Sequence, residues 1–111
     1  MKTSYFAKSG YDPNGVSIAY SSPIWYTGRR YTLLAPPHNL LQLYKNGKID
    51  KDDYEEIYSR RVLWHLRPKH IIVDLGEDAV LLCYEKPPKF CHRHIVAKWL
   101  MDNTGVVIEE V

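Results

Sequence analysis

The feature that most constrains the fold is an unbroken apolar segment, AVLLCY at residues 79–84, with no polar side chain at alternate positions. A strand exposed on one face alternates apolar and polar residues, whereas a strand buried on both faces is a continuous apolar run. Strands of the second kind are typical of parallel sheets that carry helices on both sides. The segment therefore predicts the central strand of an α/β protein.

The rest of the chain alternates between strand and helix signals. The helix beginning after Asp50 has the clearest start, because Asp50 is a favourable N-cap residue and Asp53 follows at the third helical position. The segments between strands are long enough for crossovers, so we predict an α/β fold with a mostly parallel sheet of about four strands. Besides 79–84, strands are predicted over 4–7, 16–20 and 106–108, and helices over 38–45, 51–66, 68–75 and 92–102.

Length and charge narrow the class of protein further. The chain of 111 residues predicts one domain, 1–111, and its 45% apolar and 25% charged residues exclude a disordered tail, a collagen-like fibre and a coiled coil. Fifteen basic and 13 acidic residues give a net charge of +2, which is no argument for nucleic acid by itself. We find no signal peptide and no apolar run near the ~20 residues of a membrane span. We therefore expect a cytoplasmic protein with free thiols and no membrane partner.

A long irregular segment, residues 21–37, is a candidate binding loop. Its arginines Arg29 and Arg30 lie among aromatic residues that include Trp25, a combination that suits stacking on a base and bonding to a phosphate. The alternative is a surface loop packed by its own aromatics. If strand 16–20 runs parallel to strand 79–84, these three side chains would face Cys91 and Arg93 across one crevice.

The strongest functional signal is a strand–loop–helix unit in which the predicted helix begins at CHRH, residues 91–94. Ligands of open α/β sheets bind beyond the carboxyl ends of strands, and a helix N-terminus favours anions and thiolates. Cys91 is therefore the candidate nucleophile, His92 the candidate base and Arg93 an anion-binding residue, whereas His94 faces solvent. The alternatives are a capping or core role for His92 and an ion pair between Arg93 and a carboxylate such as Glu85.

Cys83 and the histidines give no clear metal motif. Cys83 lies in the buried strand, where a small core residue is the simplest interpretation. A redox pair of Cys83 with Cys91 stays open, because spacing alone cannot decide it. Neighbouring helical residues point about 100° apart and no paired Cys-x-x-Cys motif is present. We therefore predict no metal site, and the sequence identifies no cofactor.

The segments LLCYEK (81–86), FCHRH (90–94) and VAKWL (96–100) resemble the domain of unknown function 488 family. The resemblance is to the short form of that family, common in phages and bacteria, and it covers most of the chain. It implies a three-layer α/β sandwich and no assigned activity. The positions that match the family motif, and that are site candidates on that ground, are Cys83, Glu85, Cys91, His92 and Arg93.

Taken together, these patterns favour a small α/β protein that binds an anionic small molecule or nucleotide around residues 91–93, with cysteine-based catalysis open. One alternative is a nucleic-acid-associated protein that stacks Trp25 or Tyr26 on bases and contacts phosphates through the basic residues Arg29, Arg30, Lys45, Lys48, Arg60 and Arg61. The other is a protein-interaction effector that uses the aromatic loop at residues 25–31. The oligomeric state is left open. The candidate catalytic residues are Cys91 and His92, and the candidate ligand-binding residues are Arg93, Glu85, Arg29, Arg30, Trp25 and Tyr84.

Overall fold

In the computed structural model, which describes residues 1–111, five strands form one sheet in which every pairing is parallel. The order across the sheet places the fourth strand at the centre, and all of its residues are buried, as the apolar run predicts. The α/β class is thus confirmed, with five strands instead of about four. The strands are β1 (Lys2–Tyr5), β2 (Gly15–Ser17), β3 (Arg29–Arg30), β4 (Val80–Cys83) and β5 (Glu109–Glu110), in the order β3-β2-β4-β1-β5.

Five α-helices connect the strands: α1 (Phe6–Ser9), α2 (His38–Lys45), α3 (Lys51–Arg61), α4 (Pro68–Leu75) and α5 (His92–Thr104). Helices α2 and α4 have the predicted bounds. Helix α3 begins with the predicted cap, since the Asp50 side chain accepts from the Asp53 backbone and Asp53 reciprocates. It ends earlier than predicted, and the chain continues into a 3₁₀ turn, Leu63–His65. No helix is long and apolar enough to cross a membrane.

The strand predictions were less accurate at the sheet edges. The strand predicted at 4–7 is shifted to Lys2–Tyr5, because the chain turns into α1 at once. The strand predicted at 106–108 lies instead at Glu109–Glu110, and β3 forms inside the segment predicted to be irregular. Both edge strands consist of two exposed charged residues, so they carry no apolar pattern and form only because a neighbouring strand offers backbone partners.

The central strand packs on both faces, which gives the three layers. Leu81 belongs to the larger core cluster, together with residues from α2, α3, α4 and α5. Val80 and Leu82 point to the opposite face, as strand alternation requires, and pack with Phe6 of α1 and with Tyr26, which lies in the loop between β2 and β3. One face is therefore covered by four helices and the other by one short helix and a loop.

Leu81→Ala tests the central role of β4. Leu81 is fully buried, so the substitution removes apolar contacts and leaves a cavity, which should lower the free energy of unfolding by about 2–5 kcal/mol. The exposed Leu33→Ala is the matched control, expected to change it by less than about 0.5 kcal/mol. Urea unfolding measures both, and equal losses in the two variants would contradict the central position of β4.

Candidate active site

A cavity of about 700 Å³ lies at the carboxyl end of β4, between the start of α5, the chain that follows β2, and helix α2. Parallel α/β sheets place ligand sites at this edge. Tyr44, Tyr54 and Phe90 contact one another edge to face with ring centroids 5.1–5.5 Å apart, so part of the wall is aromatic. The other lining residues are Ala19, Tyr20, Ser21, Pro36, His38, Leu41, Gln42, Lys45, Cys83, Tyr84, Glu85, Lys89, Cys91 and His92.

Both cysteines line this cavity. Cys83 is the last residue of β4, and Cys91 is the N-cap of α5, whose packing against β4 and β1 brings the two residues together. Their Cα atoms are 7.0 Å apart and their sulfurs are joined in a disulfide. The expectation of free thiols was therefore wrong for this state, and the redox pair that spacing left open is present. The loop from Tyr84 to Phe90 folds back between the two cysteines, which spacing alone does not reveal.

Arg93 is fully buried behind the cysteines. Its Nη1 donates to Cys83 Sγ at 3.1 Å and to the backbone carbonyl of Glu85 at 2.8 Å. Its Nε and Nη2 donate to the two carboxylate oxygens of Glu110 at 3.0 and 2.8 Å. The ion pair considered for Arg93 thus forms with Glu110, on β5, whereas Glu85 contributes only its carbonyl oxygen. Together these hydrogen bonds hold the positive charge of Arg93 against the Cys83 sulfur.

Glu110 is held in its charged form by this arrangement. Partial burial raises the pKa of its carboxyl group, but hydrogen bonds from Arg93 and from the Thr3 hydroxyl outweigh that effect and lower the pKa to about 2. His94 also contacts a Glu110 oxygen, at 3.2 Å, and its side chain is 40% exposed, as expected for a residue facing solvent. Glu110 is therefore ionised at neutral pH and balances the buried charge of Arg93.

His92 connects α5 to Ile18, the residue that directly follows β2. Its Nε2 lies 2.7 Å from the backbone carbonyl of Ile18, and since a carbonyl can only accept, Nε2 carries the proton. Nδ1 is then the acceptor nitrogen, and it lies 4.0 Å from Cys91 Sγ. Burial lowers the pKa of His92 to about 4, despite the bond to Ile18, so the ring is neutral at pH 7. A neutral acceptor nitrogen therefore faces the Cys91 sulfur.

Three donor groups that bind metals lie together at this point. The sulfurs of Cys83 and Cys91 and a ring nitrogen of His92 lie within 4.8 Å of one another. A disulfide offers no thiolate, so this set can hold a metal only after reduction, when two thiolates and an imidazole would suit zinc. The angular argument against a metal does not apply to this set, because Cys83 lies on β4 and Cys91 has extended N-cap backbone.

The structure brings five of the eight predicted site residues together. Cys91, His92, Tyr84 and Glu85 line the cavity, and Arg93 lies directly behind the cysteines. Strand β2 does run parallel to β4, so the chain that follows it, residues 19–21, reaches the cavity as the predicted topology requires.

The other three residues, Arg29, Arg30 and Trp25, lie elsewhere, so the predicted crevice does not include them. The Arg29 guanidinium donates to the carbonyls of Asp74 and Leu75, because the last carbonyls of α4 lack helical partners and attract a cation. Arg30 is exposed on edge strand β3. Trp25 stacks on Tyr11, with ring centroids 4.9 Å apart.

Sequence reasoning missed several parts of the site. From the residues alone Cys83 was interpreted as a core residue, and only the family resemblance made it a site candidate, although its place at the end of a buried strand is the position where ligand-binding residues occur in such sheets. Lys45 was considered only as a phosphate contact for nucleic acid, and Lys89 carried no signal, since an exposed lysine in a loop has no pattern that distinguishes it from any other. Only the packing of α2 beside the loop before α5 brings these residues to one cavity.

The fold and the site define a small α/β protein with a parallel sheet and a thiol pair at the carboxyl end of its central strand. The family model described as the active DUF488-N3 subclade, DUF488-N3a, matches residues 8–104. The chain therefore belongs to the DUF488-N3a family, in agreement with the resemblance of its LLCYEK and FCHRH segments. No curated protein and no solved structure matches the chain significantly.

Glu110→Gln tests the ion pair behind the cysteines. The pKa of Glu110 is about 2 in the folded state against an ordinary value of 4.5, so its ionised form stabilises the fold. That stability is complete above pH 4.5 and is lost as the pH falls toward 2. The difference in unfolding free energy between wild type and Glu110→Gln should stay constant from pH 8 to 5 and shrink below pH 5.

Urea unfolding at a series of pH values measures this difference. Glu109→Gln is the matched control, because Glu109 is an exposed neighbour on the same strand, and its difference from wild type should be small at every pH. Parallel stability curves for wild type and Glu110→Gln between pH 5 and 2 would contradict the role of the ion pair.

Proposed function

We propose that this protein binds a small anionic molecule, such as a nucleotide, in the cavity at the end of β4, and that the reduced thiol of Cys91 is the nucleophilic group of this site. The observation that carries the proposal is that both cysteine sulfurs line one cavity of about 700 Å³, a volume in the range of small-molecule sites.

The chemistry of the cavity wall supports an anionic ligand with a planar ring. Tyr44, Tyr54 and Phe90 offer aromatic surfaces on which a base can stack. Lys45 and Lys89 contribute two positive charges, against the single negative charge of Glu85. A phosphate or carboxylate beside a ring therefore matches this lining better than a neutral or cationic molecule.

The surroundings of Cys91 support its role as the nucleophile. It is the N-cap of a helix of 13 residues, and the positive end of a helix stabilises a thiolate. The acceptor nitrogen of His92 faces its sulfur, and Ile18 orients that ring from the other side. A nucleophile, a base and a group that orients the base are the parts that thiol catalysis requires. The description of the matched family as an active subclade agrees with this proposal.

Lys45→Ala combined with Lys89→Ala tests the ligand class. In reducing buffer, a nucleoside monophosphate or inorganic phosphate should raise the melting temperature of the wild type, with a stabilisation of about 2.7 kcal/mol at a hundredfold excess over Kd. The double variant should lose most of this shift, because it lacks the positive charges of the lining. A thermal-shift titration measures both proteins.

The matched control is Lys48→Ala combined with Lys86→Ala, which removes the same charge from exposed lysines outside the lining. This control should retain the wild-type shift. The absence of any shift in the wild type, or equal loss in both double variants, would contradict an anionic ligand in this cavity.

The reactivity of Cys91 provides a second test. In Cys83→Ser protein, iodoacetamide should alkylate Cys91 at pH 7 roughly tenfold faster than in the same protein unfolded in urea, because the helix terminus favours the thiolate and His92 can accept the thiol proton. His92→Gln should reduce this rate, and a bound nucleotide should protect the thiol. Mass spectrometry follows the reaction, and a rate equal to that of the unfolded chain would contradict a nucleophilic role.

A second candidate function is binding of a protein partner through the loop that follows β2. Ile24 is fully exposed beside Trp25, which stacks on the exposed Tyr11. Exposed aromatic and aliphatic side chains in one patch are typical of interface hot spots. The nucleic-acid alternative has less support, because Arg29 is already bonded to the end of α4.

A further inference from the structure

The thiol pair is accessible mainly to small molecules. Cys83 is 1% and Cys91 8% exposed, and both line the cavity. A reagent that reaches either sulfur must therefore enter the cavity, which favours small molecules. The joined sulfurs show that the fold brings the two cysteines close enough to be oxidised within one chain.

The two cysteines have different surroundings, and each suits one step of a dithiol reaction. Cys91 is the more exposed, and it occupies the helix N-cap, the position that favours the attacking thiolate. Cys83 accepts a hydrogen bond from the buried Arg93. In the reduced protein this bond stabilises the thiolate form of Cys83. Cys83, the less exposed of the two, therefore suits the second step, in which its partner is already bound to Cys91.

We propose that the reduced pair carries out thiol–disulfide exchange with small anionic disulfides, Cys91 attacking first and Cys83 resolving. The Cys91 thiolate attacks one sulfur of the substrate, whose S–S bond breaks, and the first thiolate product leaves with the electron pair. The Cys91 thiol gives its proton to His92 Nδ1 as the thiolate forms and attacks, and His92 then passes that proton to the product. A mixed disulfide between Cys91 and the other half of the substrate remains.

In the second step the Cys83 thiol loses its proton to water, and the thiolate, held by Arg93, attacks Cys91 Sγ. The second product thiolate leaves with the electron pair and takes a proton from water. Two electrons thus pass from the dithiol to the substrate disulfide, and the protein is left with the Cys83–Cys91 disulfide that the structure contains. A small dithiol reductant returns the protein to its starting state by the reverse steps.

The proposal rests on the cavity of the proposed function, since the disulfide enters there, but it does not require a nucleotide. Lys45 and Lys89 favour negatively charged disulfides, and the aromatic wall favours those with rings. 5,5′-Dithiobis(2-nitrobenzoate) has both properties and releases a coloured thiolate, so it is a direct probe. Neutral 2,2′-dithiodipyridine serves as the uncharged comparison.

The experiment uses the reduced full chain without oxygen. Wild type should release about two equivalents of thionitrobenzoate and lose two hydrogens in intact mass, with no adduct. Cys83→Ser should release about one equivalent and keep a stable adduct on Cys91, because no resolving thiol is present. Cys91→Ser should react roughly tenfold more slowly than Cys83→Ser. Cys83→Ala with Arg93 intact repeats the test if Cys83→Ser fails to fold.

Two results would overturn the proposal. One is a wild-type chain that retains two stable adducts, and this result is decisive even if no variant folds. The other is a Cys91→Ser chain that reacts as fast as Cys83→Ser. The charge preference is measured as the rate with the anionic probe divided by the rate with the neutral probe. This ratio should be higher in the wild type than in the Lys45→Ala/Lys89→Ala variant. An equal ratio in the two proteins would contradict the anionic specificity.

A separate measurement distinguishes this inference from the proposed function. The nucleotide-induced thermal shift is recorded in a chain that carries Cys83→Ser and Cys91→Ser and so cannot form the disulfide. If this variant retains the nucleotide shift but the wild type shows no exchange, only the exchange activity is contradicted. If the wild type shows exchange but no protein shows a nucleotide shift, nucleotide binding is contradicted and the dithiol activity stands.

Discussion

A guanidinium that is fully shielded from water must have its N–H groups paired within the protein, and this requirement at Arg93 organises the carboxyl end of the sheet. Its partners are the Cys83 sulfur, the Glu85 carbonyl and both carboxylate oxygens of Glu110. These groups belong to the central strand, the loop after it and an edge strand. One side chain of α5 therefore holds three separate segments, because an unpaired buried charge would cost several kcal/mol.

The same helix start explains why the site contains two chemically different sulfurs. Cys91, His92 and Arg93 are consecutive, yet each contacts a different part of the molecule. Cys91 caps the helix, His92 reaches the carbonyl of Ile18, and Arg93 reaches Cys83. The sulfur of Cys83 thus meets a positive charge, whereas that of Cys91 meets a neutral ring nitrogen, and a dithiol with unequal partners can divide attack and resolution between its members.

Much of the fold was predictable because its longer elements have strong local signals. The apolar run through Leu81 identified the central strand, and Asp50 identified the start of α3. The two-residue edge strands were not predictable, since Arg29–Arg30 and Glu109–Glu110 are charged, carry no apolar pattern and join the sheet through backbone hydrogen bonds. Glu110 shows the consequence for the site, because its pairing with Arg93 depends on an edge strand that no pattern indicated.

The candidate site was predictable where chain neighbours share it and not where distant segments meet. The sequence by itself determined that a cysteine, a histidine and an arginine would lie at the start of a helix after a buried strand, because hydrophobic run length and helix signals are local properties. Only the tertiary structure decided that Cys83 would join Cys91 and that Lys45 would line the same cavity as Lys89. The position of Arg29 at the end of α4 was likewise decided only by the tertiary structure. Contacts of this kind depend on how the elements pack, and side-chain spacing along the chain carries no information about that packing.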